Sequence, residues 1–552
     1  MYPNPHHLAN HGKIYNIEYI THSFVDLVRL FRYKPHMKFL KLVIAILCVG
    51  VVNTASAKLL QIIHTNDLHS FFEGSRTGKG GYSRIKTLVD RLKTDAAAKG
   101  IKTLFLDAGD FGEGSSFYFS NKGSDSLRAL DLLGVDVTVL GNHDFMLGGE
   151  DLSRQITDSN LQAHLLSANL KGKPLMGLKN KIKDYVDYDL EGMKIRIFGL
   201  TTPEIHYQYP LLPNGYIGHS HNRGVRIAGN AKKDGVDFLI ALTHIGLDKD
   251  SILASHTRSV DMIVGGHSHI RLEQPKMVEN LDGDIIPILQ AGAHGLAIGS
   301  LIVDVLGEGE SKLIDYRLYD ITRDITEDSE VKKFVDEAYL NRERYFNRSW
   351  TEVIGFSEIN LSGLVEGKVK DARTCWSEHI ARLTRETAQT DISIQFDLFQ
   401  GEEILKGEIR FGDLIDNFPH FRAWGDLGWD ITRTKMAGLV LKTLLKSFGS
   451  GPEPFDTSID GLKVFDKEKG KLIPYYPALH KTEQALIDGQ PIKSMQYYTV
   501  ALPSEIPFAV GRMLPGINKI LMKDAEKVTN SNFWPLFESY LAKNSPLKCL
   551  ED

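Results

Sequence analysis

Five short apolar runs in the first half of the chain each break off into a polar cluster. Leu59–Ile63 leads into His64-Thr65-Asn66-Asp67-Leu68-His69, and Thr103–Leu106 into Asp107-Ala108-Gly109-Asp110. Val135–Leu140 leads into Gly141-Asn142-His143-Asp144, Phe238–Leu242 into Thr243-His244, and Met262–Val264 into Gly265-Gly266-His267-Ser268-His269. Short β-branched runs bounded by glycine and polar residues predict buried strands. Helical patterns lie between several of them, as at Tyr82–Lys93 and Ser124–Leu133. Alternating strands and helices predict an α/β layered core, in which ligands collect beyond the C-terminal ends of the strands. All five polar clusters stand at such ends.

Further on, Ile285–Leu289 and Ser300–Val305 read as strands, and residues 281–322 are expected to complete the first domain. Thr326–Arg348 is highly charged, with a helical pattern and no strong apolar stripe, and reads as a helical linker; an ordinary surface helix fits the pattern equally well. The expected organisation is therefore residues 58–325, a linker at 326–349, and a second, smaller α/β domain at 350–552, with a surface loop at Gly449–Pro454.

The first 57 residues read as a leader. Met37, Lys38 and Lys41 precede an apolar run from Leu42 to Val52 and the small residues Ala55-Ser56-Ala57. That is the order of a secretory signal, with translation expected to start at Met37 and cleavage near Ala57. The run is short for a membrane span, and no second one is long enough. The expectation is a periplasmic or secreted protein beginning near Lys58, with no stable membrane span.

Composition narrows the choices without deciding them. The chain has 65 Lys and Arg against 70 Asp and Glu, a net charge of -5, which argues against a broad nucleic-acid surface. Its three cysteines, Cys48, Cys375 and Cys549, form no Cys-x-x-Cys pair, so a zinc ribbon or dithiol redox site is not expected. Cys375 and Cys549 could pair in an oxidising compartment.

The strand ends together offer Asp67, His69, Asp110, Asn142, His244, His267 and His269. Imidazole mixed with carboxylate suits Mn, Zn, Fe or Co better than an all-oxygen calcium site. Seven donors exceed one tetrahedral ion and suit two divalent ions sharing a carboxylate. Two carboxylates do not neutralise two divalent ions, so such a site stays positive and attracts an anion despite the acidic chain.

In this order, Asp67-x-His69, Gly109-Asp110, Gly141-Asn142-His143-Asp144, His244 and Gly266-His267-Ser268-His269 resemble the calcineurin-like metallophosphoesterases, and within them the exported 5′-nucleotidase group. Gln290-Ala291-Gly292 resembles a segment that the group places after its last ligands. The resemblance implies a layered αββα metal domain followed by a C-terminal substrate-binding domain. It implies Asp67, His69, Asp110 and His269 at one metal and Asp110, Asn142, His244 and His267 at the other, with Asp110 bridging. It further implies hydrolysis of phosphate esters, nucleotides or nucleotide sugars, by a metal-bridging hydroxide. His143 would stabilise the transition state or assist the leaving group. Asp144 would orient His143 and hold it protonated, or else cap the following turn.

The C-terminal half departs from that group. After Thr390–Ile394 the group's Gly-Gly-x-Arg is missing, and Gln395-Phe396-Asp397-Leu398-Phe399 stands there instead. Ser504–Phe508 replaces the group's glycine-rich segment beside the base-stacking aromatic. Phe418 and Phe508 are candidates for an aromatic clamp, against the alternative that both are core residues. Arg410 is a candidate anion contact. These departures leave two alternatives open: hydrolysis of another oxyanion ester of the sulfur-oxidation type, and a ligand-binding module with a vestigial site.

Overall fold

The computed structural model describes residues 58–172, 181–203, 215–307, 310–361, 364–365, 368–369, 375–396, 401, 403–418, 428–447, 457–473, 479, 482–504, 506–507 and 518–550. The leader, with Met37 and Cys48, lies outside the described residues, as do Phe508 and the 449–454 loop.

Two sheets form the centre of the first half. One has seven strands in the order Glu310–Asp320, Ala297–Gly307, Leu59–Thr65, Lys102–Asp107, Val137–Val139, His164–Leu166, Ile182–Lys183. The other has six, in the order Lys276–Glu279, Ile285–Leu289, Met262–Gly265, Phe238–His244, Met193–Thr201, Tyr185–Leu190. The strands that carry the polar clusters pair in parallel within each sheet. Both faces of such strands are covered, which is why they read as unbroken apolar runs.

Successive side chains along each strand serve different layers. Leu60, Ile62, Leu104, Leu106, Val137 and Val139 of the first sheet meet Ile195, Ile197, Phe238, Ile240, Leu242 and Val264 of the second. Ile63 and Phe105 point the other way, into a core shared with helices Tyr82–Ala97, Ser124–Leu133 and Gly149–Ser159. Helices Ser220–Ala231 and Leu247–His256 cover the outer face of the second sheet through Ile227, Ala228, Leu253 and Ala254. The result is the αββα sandwich.

The charged stretch near residue 330 differs from its expectation in one respect. Helix Ser329–Phe346 does present an apolar stripe, Val331, Phe334, Val335 and Ala338, and buries it in the outer core of the first sheet. Asp328 starts it by accepting hydrogen bonds from the Glu330 and Val331 amides at 3.0 and 2.9 Å. One turn before its end it carries Arg342, fully buried between the rings of Phe117 and Trp350.

The second half is a five-stranded mixed sheet, with Ile392–Phe396 and Tyr497–Pro503 at its middle, and a separate four-stranded antiparallel sheet. Helices Cys375–Ala388 and Phe533–Asn544 lie against its aromatic core of Trp376, Phe411, Phe418, Trp429, Phe533 and Phe537. Tyr118 and Phe119, from the loop after Asp110, enter this same core. Cys375 and Cys549 are joined in a disulfide that ties the C-terminal end to the first of these helices. Among the described residues no helix is long and apolar enough to cross a membrane.

Candidate metal centre

The first sheet delivers Asp67, His69, Asp110 and Asn142 from the ends of three neighbouring strands; the second delivers His244, His267 and His269 from two. Because the sheets pack face to face, the two sets meet at one edge of the sandwich. Donor atoms of Asp67, His69 and His269 lie within 4.8 Å of one another, and so do those of Asp110, His244 and His267. Asp110 Oδ2 stands 3.0 Å from His244 Nε2 and 3.9 Å from His69 Nε2, so one carboxylate oxygen faces both groups. Asn142 Oδ1 is 3.2 Å from His244 Nε2, and His269 Nε2 is 3.3 Å from Asp67 Oδ1.

Outer hydrogen bonds aim these rings. His69 Nδ1 donates to the Glu113 carbonyl at 2.6 Å, and His244 Nδ1 to the Ala108 carbonyl at 2.7 Å. A carbonyl only accepts, so each Nδ1 carries the proton and each Nε2 is turned to the centre, the arrangement that metal-binding histidines use. Asp67 accepts from the His267 amide at 3.0 Å and from Asn66 Nδ2 at 2.6 Å. Gln290 braces the His267–His269 turn by accepting from Ser268 Oγ at 2.9 Å.

The turns themselves are strained. Asp67, His69, Asp110, His267 and His269 all adopt left-handed backbone, with φ of 52°, 49°, 52°, 78° and 53°. Each such non-glycine residue costs on the order of 1 kcal/mol or more and persists where the surroundings over-determine it. Gly141 is required by close approach: a Cβ there would fall 2.0 Å from Asp110 Oδ1.

Residues 60–271 match the calcineurin-like phosphoesterase family. They form a calcineurin-like phosphoesterase domain. A snake venom 5′-nucleotidase of Crotalus adamanteus is 29% identical across 60% of this chain and 62% of its own length. A 5′-nucleotidase of Vibrio cholerae is 28% identical across 65% of the chain and 71% of its own. The chain thus aligns with somewhat under two thirds of the venom protein. Among solved structures, the 5′-nucleotidase precursor of Thermus thermophilus superposes with a TM-score of 0.74 at 22% identity, covering 90% of this chain and 98% of that one, a likeness of fold.

The electrostatics of this phosphoesterase domain fit a cation. Burial opposes ionisation of Asp67, but His269 and His244 outweigh it and hold the carboxyl well below its usual range. Burial likewise opposes ionisation of Asp110, and His244 and His143 override it. His244 shows the converse: burial disfavours its charge, yet Asp110 and Asp67 raise it to about 10. Two buried carboxylates thus recruit a proton onto the nitrogen between them, where a divalent ion would serve better. His69, by burial, falls to about 4 and keeps its Nε2 lone pair free.

Around this centre the remaining candidates sort differently. His143 presents a partly exposed ring at the rim; its amide donates to Asp110 Oδ1 at 2.8 Å, and its Nδ1 lies 2.6 Å from Glu113 Oε2. Burial works against charge on this ring, but Asp110 and then Glu113 lift it to about 9. Asp144 turns instead to the main chain, accepting from Gly141 N at 2.7 Å, Gly112 N at 3.0 Å and Asp110 N at 3.2 Å. Burial, reinforced by Asp110, raises its carboxyl to about 8. The carboxylate on His143 Nδ1 is therefore Glu113, and Asp144 ties three turns together.

Phe418 takes the core alternative, not the clamp. Its ring is buried against Trp429 and Phe533, at centroid distances of 4.8 and 4.9 Å, and shows no face to a ligand. Arg410 sits just ahead of helix Phe411–Asn417, with its guanidinium 3.5 Å from Glu408. Two residues went unforeseen. Glu113 follows Asp110 by three positions in a stretch without a strand signal. His294 stacks on Phe71 at 3.9 Å, with its ring 5.7 Å from that of His69; its place just after Gln290-Ala291-Gly292 was the available clue.

Proposed function

We propose that this chain is a hydrolase of phosphate monoesters that works with two divalent metal ions, with 5′-nucleotides as its foremost substrate class. One observation carries the reading: Asp110 Oδ2 faces both donor groups at once, His69 on one side and His244 on the other. Asp67, His69, Asp110 and His269 would hold one ion, and Asp110, Asn142, His244 and His267 the other. Bound there, such ions supply Lewis acidity toward phosphoryl oxygens and lower the pKa of water.

The chain's own residues do the rest. Hydrogen bonds that His69 and His244 donate from Nδ1 to the Glu113 and Ala108 carbonyls keep each ring in one tautomer, so the donors need no rearrangement. His143, at the rim, offers Nε2 to a phosphoryl or leaving oxygen, where charge grows as the ester bond breaks. The products are an alcohol and inorganic phosphate. The named 5′-nucleotidases support the nucleotide preference, while the missing Gly-Gly-x-Arg and the buried Phe418 mean that base and phosphate contacts in this chain come from other groups.

In this reading residues 58–325 carry the metals, 326–349 link, and 350–552 bind substrate. Export, with signal cleavage near Ala57, agrees with the Cys375–Cys549 disulfide, since such bonds persist in oxidising compartments. The test is phosphate release by protein starting at Lys58 from AMP, a nucleotide sugar, a cyclic nucleotide and an aryl phosphate, each with Mn, Zn, Co, Ca or a chelator. Metal-dependent release that is lost in His143→Ala is expected. No release under any metal, or sulfate release from a sulfur ester instead, would overturn the reading.

A further inference from the structure

Glu113 is wholly buried. A carboxylate so placed is costly unless its charge is matched, and here the partner is the rim histidine: Glu113 Oε2 lies 2.6 Å from His143 Nδ1. Its main chain is engaged at the same time, the carbonyl accepting from His69 Nδ1 at 2.6 Å. The two rings that it holds stand edge to face, 4.9 Å apart with planes at 87°.

The segment around it is fixed from several sides. Ser115 Oγ donates to the Ser70 carbonyl at 2.6 Å, and Ser70 Oγ to the Gly112 carbonyl at 2.6 Å. Asp144 takes the Gly112 amide. At Gly114 (φ 144°) a Cβ would fall 2.6 Å from His69 Cβ, so only glycine lets this segment lie against His69. A side chain carried on such a segment has one place to point.

We propose that Glu113 is the positioning residue of this site: its carboxylate holds Nδ1 and so sets the ring plane of His143 and the direction of Nε2, while its carbonyl sets His69. The part played by His143 in turnover rests on the phosphate-ester reading; the orientation does not. One residue thereby keeps the rim histidine and a metal-side histidine in register, so that a group bound by the metals meets Nε2 without either ring searching for its orientation. Outer hydrogen-bond partners of this kind are worth roughly 10–100-fold in activity.

Glu113→Gln is close in shape and keeps the main-chain bond to His69, but replaces a charged acceptor with a neutral amide. Two measurements follow on the full mature chain. In 15N-histidine spectra, the far-downfield Nδ1 proton of His143, assigned by its loss in His143→Ala, is expected in the parent and expected to shift strongly in Glu113→Gln. In steady-state phosphate release, kcat is expected to fall roughly 10–100-fold, with KM, bound metal and Tm held near parent values, and Glu113→Asp is expected to regain part of the loss. A Glu113→Gln variant with an unshifted His143 resonance, or with parental kcat, overturns the proposal. So does a loss of kcat that simply tracks lost metal or lost Tm, which would make Glu113 a structural brace. If the parent turns over no phosphate ester, the hydrolase reading fails while the spectra still decide whether Glu113 orients His143.

Discussion

Gly141→Ala tests how tightly the centre is built. The backbone of Gly141 lies outside the left-handed region, so alanine meets no conformational objection; the difficulty is space. The added Cβ would sit 2.0 Å from Asp110 Oδ1 and 2.6 Å from its amide nitrogen, where real contacts stay beyond 3.0 Å. Asp110 must therefore retreat by about 1 Å. It has nowhere neutral to go: Oδ1 accepts from the His143 amide at 2.8 Å and Oδ2 faces His244 Nε2 at 3.0 Å. A misplacement of about 1 Å in such a constellation costs on the order of 100-fold in rate, and overpacking costs about 1–3 kcal/mol of stability. The assay is kcat/KM for phosphate release, with bound metal measured by mass spectrometry and stability by urea titration. Gly229→Ala is the control: it lies in helix Ser220–Ala231 with nothing within 4 Å of the new Cβ, so a slight gain in stability and parental activity are expected. If Gly141→Ala kept activity within about threefold of the parent and full metal content, the bridging role of Asp110 would be wrong.

Arg342→Met keeps the stem but removes the charge that Ser116, Asp416 and Glu73 share, at 2.9, 3.7 and 3.5 Å from the guanidinium. Glu73 is partly exposed and water can take it over, so the low end of the range for a broken buried pair applies, about 3 kcal/mol by urea titration; a loss under about 1 kcal/mol would count against it. Asp250 is fully buried and accepts from Thr243 Oγ1 at 2.6 Å; burial raises its carboxyl to about 7. The folded chain keeps that proton up to about pH 7 while the unfolded chain releases it near 4, so stability falls as pH rises through this window, by at most about 4 kcal/mol. Asp250→Asn should flatten that slope in chelator, and an unchanged slope would assign the proton elsewhere. Finally, a divalent ion at a hundredfold over its Kd should stabilise the chain by about 2.7 kcal/mol relative to chelator; a Tm indifferent to Mn, Zn and chelator alike would speak against a metal centre.

The sequence by itself determined the strands, because both faces of a central parallel strand are apolar and the run stops where the sheet stops. It thereby also placed Asp67, His69, Asp110, Asn142, His244, His267 and His269 each at the end of such a run; that the two sets meet at one edge was decided by the packing of the two sheets. It did not determine what each side chain turns toward. Asp144 and Glu113 are both acidic residues close to His143, and only the packed loops show that Asp144 serves three amides while Glu113 meets the ring. Phe418 has the composition of a clamp and of a core residue alike; burial against Trp429 and Phe533 decides for the core. The stripe on helix Ser329–Phe346 was hidden by the charges around it, and Cys375 meets Cys549 across a separation of 174 residues. In most of these cases a deciding partner is distant in sequence, as Glu113 is from His143, Phe533 from Phe418 and Cys549 from Cys375, and such contacts exist only once the chain has packed.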